Sequence, residues 1–536
     1  MKLRLTILLP AAALSLLSPQ MSRAGDATSE MTISLDQPGP VISRDIFGQF
    51  AEHLGEGIYG GVWVGRSSKI PNVRGIRSDV VTALRALKVP NVRWPGGCFA
   101  DEYDWRSGIG PERARKSTVN GNWGNVVEPN TFGTHEFMDF VDQIGSEAYV
   151  NVNLGTGSPR EAAEWLEYMT TPLPSTLGRE RVANGRKEPF KIKFLGIGNE
   201  SWGCGGNMSA DAYVERLKLY STFVRNLNPA QGRANRYVPG PNETIRVAVG
   251  PEDEKTEYTE AVMKEWKASS RPWRWGFEAL SLHHYTMGRT PMSSPATGFS
   301  ERDYAEFVKQ TLEMGPLIER HSTVMDKYDP QKKVALAVDE WGVWLAPLPN
   351  TNPRFLKQQN SLRDAILGAL NLNIFVRHAD RVRMANVAQM VNVLQSMILT
   401  DGNRMVLTPT YHLFRMYVPF QDARSLPVTI KTGTYRNGAV ETPQIDAIAA
   451  RAPDGTVWLA LTNIDPNTST EVAVSTGEQR WSGAVGEVLT AENVAAVNDF
   501  SDPTHVAPKT YSVRFEGGAV RLPLAAKSVT VVRLQP

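Results

Sequence analysis

Between about residues 44 and 400, apolar positions recur along the chain in two alternating rhythms. Short runs that are apolar throughout, or at every second position, read as strands; apolar residues three and four apart read as helices. Residues 45–53 form a first strand and its exit. Residues 78–88 (SDVVTALRALK) place Val80, Val81, Leu84 and Leu87 on one helical face. Residues 91–94 (NVRW) read as a second strand, broken by Pro95-Gly96-Gly97, and residues 148–154 (AYVNVNL) as a third. Ser158-Pro159-Arg160-Glu161 is a capping box with proline at the first helical position, so a helix starts there. Strands four to seven are residues 191–200 (KIKFLGIGNE), 245–250 (IRVAVG), 277–285 (FEALSLHHY) and 333–340 (KVALAVDE). A long helical pattern covers 361–377, and 380–392 holds an eighth strand and its exit loop. Eight such units in series predict an α/β fold, a closed (β/α)8 TIM barrel over residues 44–424. An open dinucleotide-binding sheet would need a Gly-rich phosphate loop near its start, which this chain lacks.

The rhythm changes after roughly residue 420. Short β-rich runs follow, such as 456–462 (TVWLALT), 470–474 and 528–534 (SVTVVRL), separated by Pro453-Asp454-Gly455 and Asp465-Pro466-Asn467. This pattern predicts a C-terminal antiparallel β-sandwich over residues 425–536. Residues 31–35 (MTISL) read as one more strand, so the segment 31–43 is expected to join that sandwich from the N-terminal side of the barrel.

Composition adds the domain count and narrows the partners. A chain of 536 residues exceeds one compact core of usual size, which fits a large domain plus a smaller one. The formal net charge is +2 and no basic block stands out, which argues against nucleic acid as a partner. Lys2 and Arg4 precede an apolar stretch at 5–17, and Ser22-Arg23-Ala24 offers small residues for cleavage. Residues 1–24 therefore read as a signal peptide, and the protein is expected to be exported to the periplasm or the medium, free of the membrane after cleavage. The apolar stretch is too short for a stable span. The oligomeric state has no signal in the sequence. Of 13 Trp residues, Trp63, Trp94, Trp105, Trp123, Trp202, Trp341 and Trp344 lie in Gly- and polar-rich stretches. Flat aromatic faces suit the C–H faces of sugar rings, although core packing is the commoner role for any one Trp.

Reactive residues of a (β/α)8 barrel sit at the C-terminal ends of its strands. Strand four closes as Gly198-Asn199-Glu200-Ser201-Trp202 and strand seven as Val338-Asp339-Glu340-Trp341-Gly342. Each is an apolar run that stops at a carboxylate followed by Trp. Strands four and seven face one another across the barrel mouth, so Glu200 and Glu340 can flank one bound atom. Glycoside hydrolysis needs that arrangement: one carboxyl protonates the leaving oxygen and the other attacks the anomeric carbon. A single strand-end Glu is more often a surface residue; two matched ends on opposed strands favour chemistry. Strict alternation would turn Asp339 away from the mouth if Glu340 faces it, giving Asp339 a structural hydrogen bond in the helix layer or a neighbouring loop.

Six segments together resemble glycoside hydrolase family 51, mainly α-L-arabinofuranosidases: FGQFAEHLGEGIYGG (47–61), VRWPGGCFADEYDWRSGIGP (92–111), GIGNESWG (196–203), SLHHYT (281–286), DEWGVW (339–344) and NVAQMVNV (386–393). The resemblance runs from about residue 31 to the C-terminus. It implies a retaining, exo-acting enzyme that removes arabinofuranose side chains from hemicellulose or arabino-oligosaccharides by double displacement. Glu200 would be the acid/base and Glu340 the nucleophile. Asn199 would hydrogen-bond the sugar 2-OH, Glu52 would bind furanose hydroxyls, Tyr285 would orient Glu340, Gln389 would contact the sugar and Trp344 would line the rim. Retention requires carboxyl groups roughly 5 Å apart, and a gap above about 6.5 Å implies inversion.

One position departs from the pattern. Many members carry Asn where this chain has Cys98, and a thiol is a weaker hydrogen-bond partner. Either Cys98 lines the sugar site less polarly, or the backbone and neighbours such as Asp101 take over. Cys98 and Cys204 both fall in loops at the same barrel face, and two readings stand: a disulfide that fixes the pocket wall, or two separate small buried thiols. His53, His283 and His284 lie near strand ends, but adjacent His283 and His284 point apart and no Cys/His spacing matches a zinc site. A hydrogen bond from such a His to a carboxylate is expected, and no metal or other cofactor. Two alternatives remain open: an endo-acting β-glucanase or xylanase on the same scaffold, and a non-catalytic carbohydrate-binding protein.

Overall fold

The computed structural model describes residues 29–232, 240, 242–269, 275–515 and 520–536. Eight parallel strands close a barrel in sequence order: β1 (Gly48–Phe50), β2 (Asn91–Trp94), β3 (Glu147–Val152), β4 (Phe194–Ile197), β5 (Ile245–Ala248), β6 (Ala279–Thr286), β7 (Ala335–Val343) and β8 (Val382–Val387). The expected (β/α)8 architecture is thus the observed one. Alternation along each strand separates two layers. Tyr149, Phe194, Val247, Ala279, Ala335, Ala337 and Met384 fill the interior. Val92, Val150, Leu195, Leu280, Leu336 and Ala385 face outward into the packing against the helices.

The helices form where their patterns demand. The helix Ser78–Ala86 buries Val80, Val81 and Leu84. Ser158 caps Pro159–Thr170 by accepting from the Glu161 N–H, and Glu161 returns the bond to the Ser158 N–H. The helix Leu362–Arg377 is buried on every side from Leu362 to Val376. It lies between the barrel and the C-terminal domain, so even its polar residues Arg363, Asp364, Asn371 and Asn373 are buried.

The C-terminal domain stacks a six-stranded sheet on a four-stranded one. The smaller sheet contains the N-terminal strand Ser29–Ile33, which runs antiparallel to Val428–Lys431 and parallel to Thr470–Ser475. Met31, Ile33, Leu459, Leu461, Val472, Leu522 and Val532 share the core between the sheets. The opposite face of the larger sheet packs on the barrel through Ile448, Ala460, Val529 and Val531. Among the described residues no helix is long and apolar enough to cross a membrane. Segment 1–24 lies outside the described residues.

One expectation about β7 is corrected. Ser281 pairs with Ala337 and His283 with Glu340, so two residues on β6 face three on β7. The β8 partner shows the same extra residue, between Val338 and Trp341. This bulge lets Asp339 and Glu340 both reach the barrel interior instead of pointing to opposite sides. Asp339 accepts from Tyr149 Oη at 2.6 Å and Ser281 Oγ at 2.5 Å, both interior residues.

Candidate active site

The exits of the strands enclose a cavity of about 310 Å³, lined among others by Glu52, Cys98, Asn199, Glu200, Tyr285, Glu340, Trp344 and Gln389. All eight sequence-predicted site residues therefore line one cavity at the C-terminal face. Glu200 and Glu340 come from opposite sides of it, and a carboxylate oxygen of each, with one His283 ring nitrogen, lies within 4.8 Å of the others.

Glu340 is held from two sides. Arg93 Nη1 donates to Oε1 at 2.6 Å and Tyr285 Oη to Oε2 at 2.9 Å. Arg93 Nη2 also donates to Asn199 Oδ1 at 2.7 Å, so one guanidinium spans the β4 and β7 ends. Burial opposes the charge on Arg93, but Asp339 and Glu340 outweigh it and raise its pKa. Burial, reinforced by Glu340, drives the Tyr285 phenol far above its usual range, so it stays a donor.

His283 faces three carboxylates. Its Nδ1 lies 2.8 Å from Glu200 Oε1 and 3.6 Å from Glu340 Oε2, and its Nε2 lies 3.3 Å from Asp339 Oδ1. Burial opposes a charged ring, yet Glu340, with Asp339 and Glu200, pushes it up to about 10. Burial also opposes ionisation of Asp339; Arg93 and His283 overcome it and hold Asp339 well below the usual carboxylate range. The Glu200, His283 and Glu340 donor atoms are close enough to share a cation. Each His283 nitrogen faces a carboxylate, so the set is also suited to sharing a proton.

The chain turns sharply as it leaves β4. Gly198 has φ +86° and Glu200 has φ +35°, a strained region for a side chain with a Cβ. The turn is held by Asn199 N–H on Asp101 Oδ2 at 2.8 Å, and by the Gly203 and Gly205 N–H groups on the Glu200 carbonyl. Asp101 also accepts from the Leu154 and Gly155 N–H groups. It is buried and bound to backbone, which assigns it to positioning the β4 exit and not to filling in for Asn at position 98. Burial pushes Asp101 up to about 7 against those N–H groups.

The Cys pair resolves to a disulfide. Cys98 and Cys204 are bonded with their Cα atoms 5.5 Å apart, joining the β2 and β4 exit loops. Cys204 Sγ lies 3.6 Å from Glu200 Oε2 and 3.7 Å from Asn199 Nδ2. Just before it in the β2 loop, Gly97 has no room for a side chain: a Cβ there would stand 2.8 Å from Glu340 Oε1. Glu52 accepts from the Gly97 and Phe99 N–H groups at 3.0 and 3.1 Å and from Gln389 Nε2 at 3.2 Å. Burial pushes Glu52 up to about 7; Glu340 adds to the rise, and the Phe99 N–H and the Trp123 indole oppose it.

The Trp residues divide. Trp63, Trp94, Trp105 and Trp341 are buried in the core. Trp123, Trp202 and Trp344 line the cavity, with Trp344 edge-on to Tyr285 at 5.2 Å. Sequence reading assigned no role to Arg93. Its signal was position: alternation in Asn91-Val92-Arg93-Trp94 turns Asn91 and Arg93 into the barrel, and an interior cation needs anions close by.

This constellation has known counterparts. Residues 83–263 match the Alpha-L-arabinofuranosidase 1 domain, and residues 339–528 the Alpha-L-arabinofuranosidase C-terminal domain. An intracellular exo-alpha-L-arabinofuranosidase of Bacteroides ovatus is 42% identical over 97% of this chain and 98% of its own length. The crystal structure of the GH51 arabinofuranosidase from Xanthomonas axonopodis pv. citri has a TM-score of 0.89 at 48% identity, covering 95% of this chain and 100% of that one. The chain belongs to glycoside hydrolase family 51. A second structure of similar fold, the Thermotoga maritima alpha-L-arabinofuranosidase in an arabinose complex, has a TM-score of 0.81 at 27% identity and covers 95% of this chain and 100% of that one. This family 51 protein is a glycoside hydrolase, which removes the reading as a non-catalytic binding protein.

Its expected export is corrected by the same comparison. The Bacteroides ovatus relative, aligned over nearly the whole chain, is named an intracellular enzyme. A basic start followed by apolar residues is a pattern of composition only. Neither the periplasm nor the medium is therefore assigned.

Proposed function

We propose that this family 51 hydrolase releases terminal L-arabinofuranose from oligo- or polysaccharides with retention of configuration. Glu340 attacks the anomeric carbon while Glu200 protonates the departing glycosidic oxygen. A covalent glycosyl-enzyme results. Glu200, now ionised, takes a proton from water, whose oxygen attacks the same carbon and releases Glu340. Arg93 and Tyr285 hold and aim Glu340, and His283 hydrogen-bonds Glu200. Glu52, Asn199 and Gln389 hold the sugar hydroxyls, Trp344 forms part of the wall, and the Cys98–Cys204 bridge backs it. We assign residues 44–424 to the catalytic barrel and 425–536, joined by 31–43, to the sandwich.

The observation that carries this reading is the separation of the two carboxylates, with oxygens within 4.8 Å. That spacing suits direct attack by one of them and falls short of the gap of about 6.5 Å or more that inversion requires. A cavity of about 310 Å³ is at the small end for ligand sites, which suits the capture of a chain terminus.

The test is hydrolysis of an aryl α-L-arabinofuranoside and of arabinoxylan, following the first-formed anomer by NMR. Retained configuration and free arabinose are expected; shortened backbone oligomers would instead indicate endo action. Glu340→Ala should lose all but about 10⁻⁴ of kcat. Glu200→Ala should keep far more activity on aryl substrates with good leaving groups than on the polymer. Equal losses on both would remove Glu200 from the role of acid.

A further inference from the structure

Trp123 reaches the cavity from the turn of a two-stranded hairpin, Thr118–Asn120 and Val126–Glu128. The hairpin has little behind it: Val119 and Val127, paired across the strands, are 67% and 69% exposed. Asn122 Nδ2 donates to the Cys98 carbonyl at 3.3 Å and Trp123 packs on the core, while the strands are anchored by polar contacts gathered near Glu128. Glu128 is 4% exposed and accepts from His53 Nδ1 at 3.1 Å, from the Asn130 N–H at 3.0 Å and from the Tyr59 hydroxyl. Asn120 Nδ2 donates to the His53 carbonyl at 2.6 Å, and its Oδ1 accepts from the Trp123 N–H at 3.0 Å. On the far side of the ring, Trp94 Nε1 donates to His53 Nε2 at 3.0 Å. An indole nitrogen only donates, so His53 Nε2 accepts and Nδ1 carries the proton towards Glu128.

Three donors thus converge on one buried carboxylate, and only an acceptor-only group satisfies all three. Burial works against its charge, but His53 and Tyr59 outweigh burial and hold Glu128 below its usual range. His53 directly follows Glu52, which lines the same cavity as Trp123. The clamp and the sugar-facing residues therefore share one stretch of backbone.

We propose that Glu128 is a positioning residue for the sugar pocket: through His53, Tyr59 and Asn120 it fixes the hairpin and sets the Trp123 indole beside Glu52, which determines affinity for the furanose. The proposal rests on the reading that Glu52 and Trp123 lie at the sugar end of the cavity. Glu128→Gln keeps the volume but not the polarity. With the amide oxygen on His53, its NH2 meets the Asn130 N–H, donor against donor, in a site closed to water.

The experiment compares the wild type, Glu128→Gln, Trp123→Ala and the double variant on an aryl α-L-arabinofuranoside, with arabinose as product inhibitor. Glu128→Gln is expected to raise KM and the arabinose inhibition constant about tenfold while kcat moves less than about threefold. Trp123→Ala should raise KM at least as much, and adding Glu128→Gln to it should raise KM no further, because both act through the same indole. Multiplying effects in the double variant, or an unchanged KM in Glu128→Gln, would overturn the proposal. If Glu128→Gln does not fold, Tyr59→Phe removes one donor and should raise KM about threefold; no change there is equally fatal. Acrylamide quenching of the signal assigned to Trp123, by difference from Trp123→Phe proteins, should rise in Glu128→Gln. That readout needs no turnover, so a wild type inactive on the arabinofuranoside would refute the substrate reading while the clamp is still decided by quenching.

Discussion

Arg93 shows how one interior residue organises the site. Its guanidinium is buried, bonded to Glu340 and Asn199, and 3.6 Å from Asp339 through Nε. A planar fork with several donors can hold two strand ends at once, which a lysine cannot. Glu52 is the counterpart on the acidic side, where burial dominates and sets a pH dependence. Because its carboxyl is pushed from the usual range up to about 7, the folded protein binds more protons than the unfolded chain between about pH 4.5 and 7. Its contribution to stability is therefore fully present below that window and is lost as pH rises through it. Urea unfolding at pH 5 and 7.5 should show a loss of stability in the wild type that is smaller in Glu52→Gln; equal losses would contradict a raised Glu52. At this scale the sequence pointed to Glu200 and Glu340 because an apolar run ending in a carboxylate is visible in one dimension. Arg93, Glu128 and the resting place of Asp339 were not, because their roles depend on which distant groups share a cavity.

At the scale of elements, capping and periodicity carried most of the information. The Ser158 capping box and the Val80, Val81, Leu84 face are local, so they were readable directly. The β7 bulge was not, since it is a mismatch between strands: strict alternation sent Asp339 away from the mouth, and one unpaired residue brought it back. The disulfide is likewise a matter of two loops meeting. It joins positions 106 residues apart, so it restricts the unfolded chain strongly as well as tying the β2 exit to the β4 exit. Cys98→Ser/Cys204→Ser is expected to lose about 2–5 kcal/mol in thermal or urea unfolding under non-reducing conditions. An unchanged midpoint would mean that the bridge constrains neither state.

For the whole molecule, the barrel and the sandwich are packed through Leu362–Arg377, with Asn373 Nδ2 and Arg377 Nη1 each donating to Asp446 at 2.8 Å. The larger sheet is thus covered on both faces, by the smaller sheet and by the barrel. The N-terminal strand closes the smaller sheet between two strands from the far end of the chain. Ile33→Ala should therefore cost about 2–4 kcal/mol of global stability and leave KM unchanged, since Ile33 is 2% exposed and belongs to the core between the sheets, away from the cavity. A separate early transition for the sandwich in calorimetry, with the barrel midpoint unmoved, would show that the two domains are not coupled in this way. The sequence by itself determined the order of strands and helices, the barrel, the sandwich and the strand ends that bear Glu200 and Glu340, because periodicity and capping are properties of neighbouring residues. Only the tertiary structure decided that His283 faces three carboxylates, that Cys98 is bridged and that Asp339 lies inside. Those are distances between residues far apart in the chain, set by barrel closure and by a single extra residue in β7.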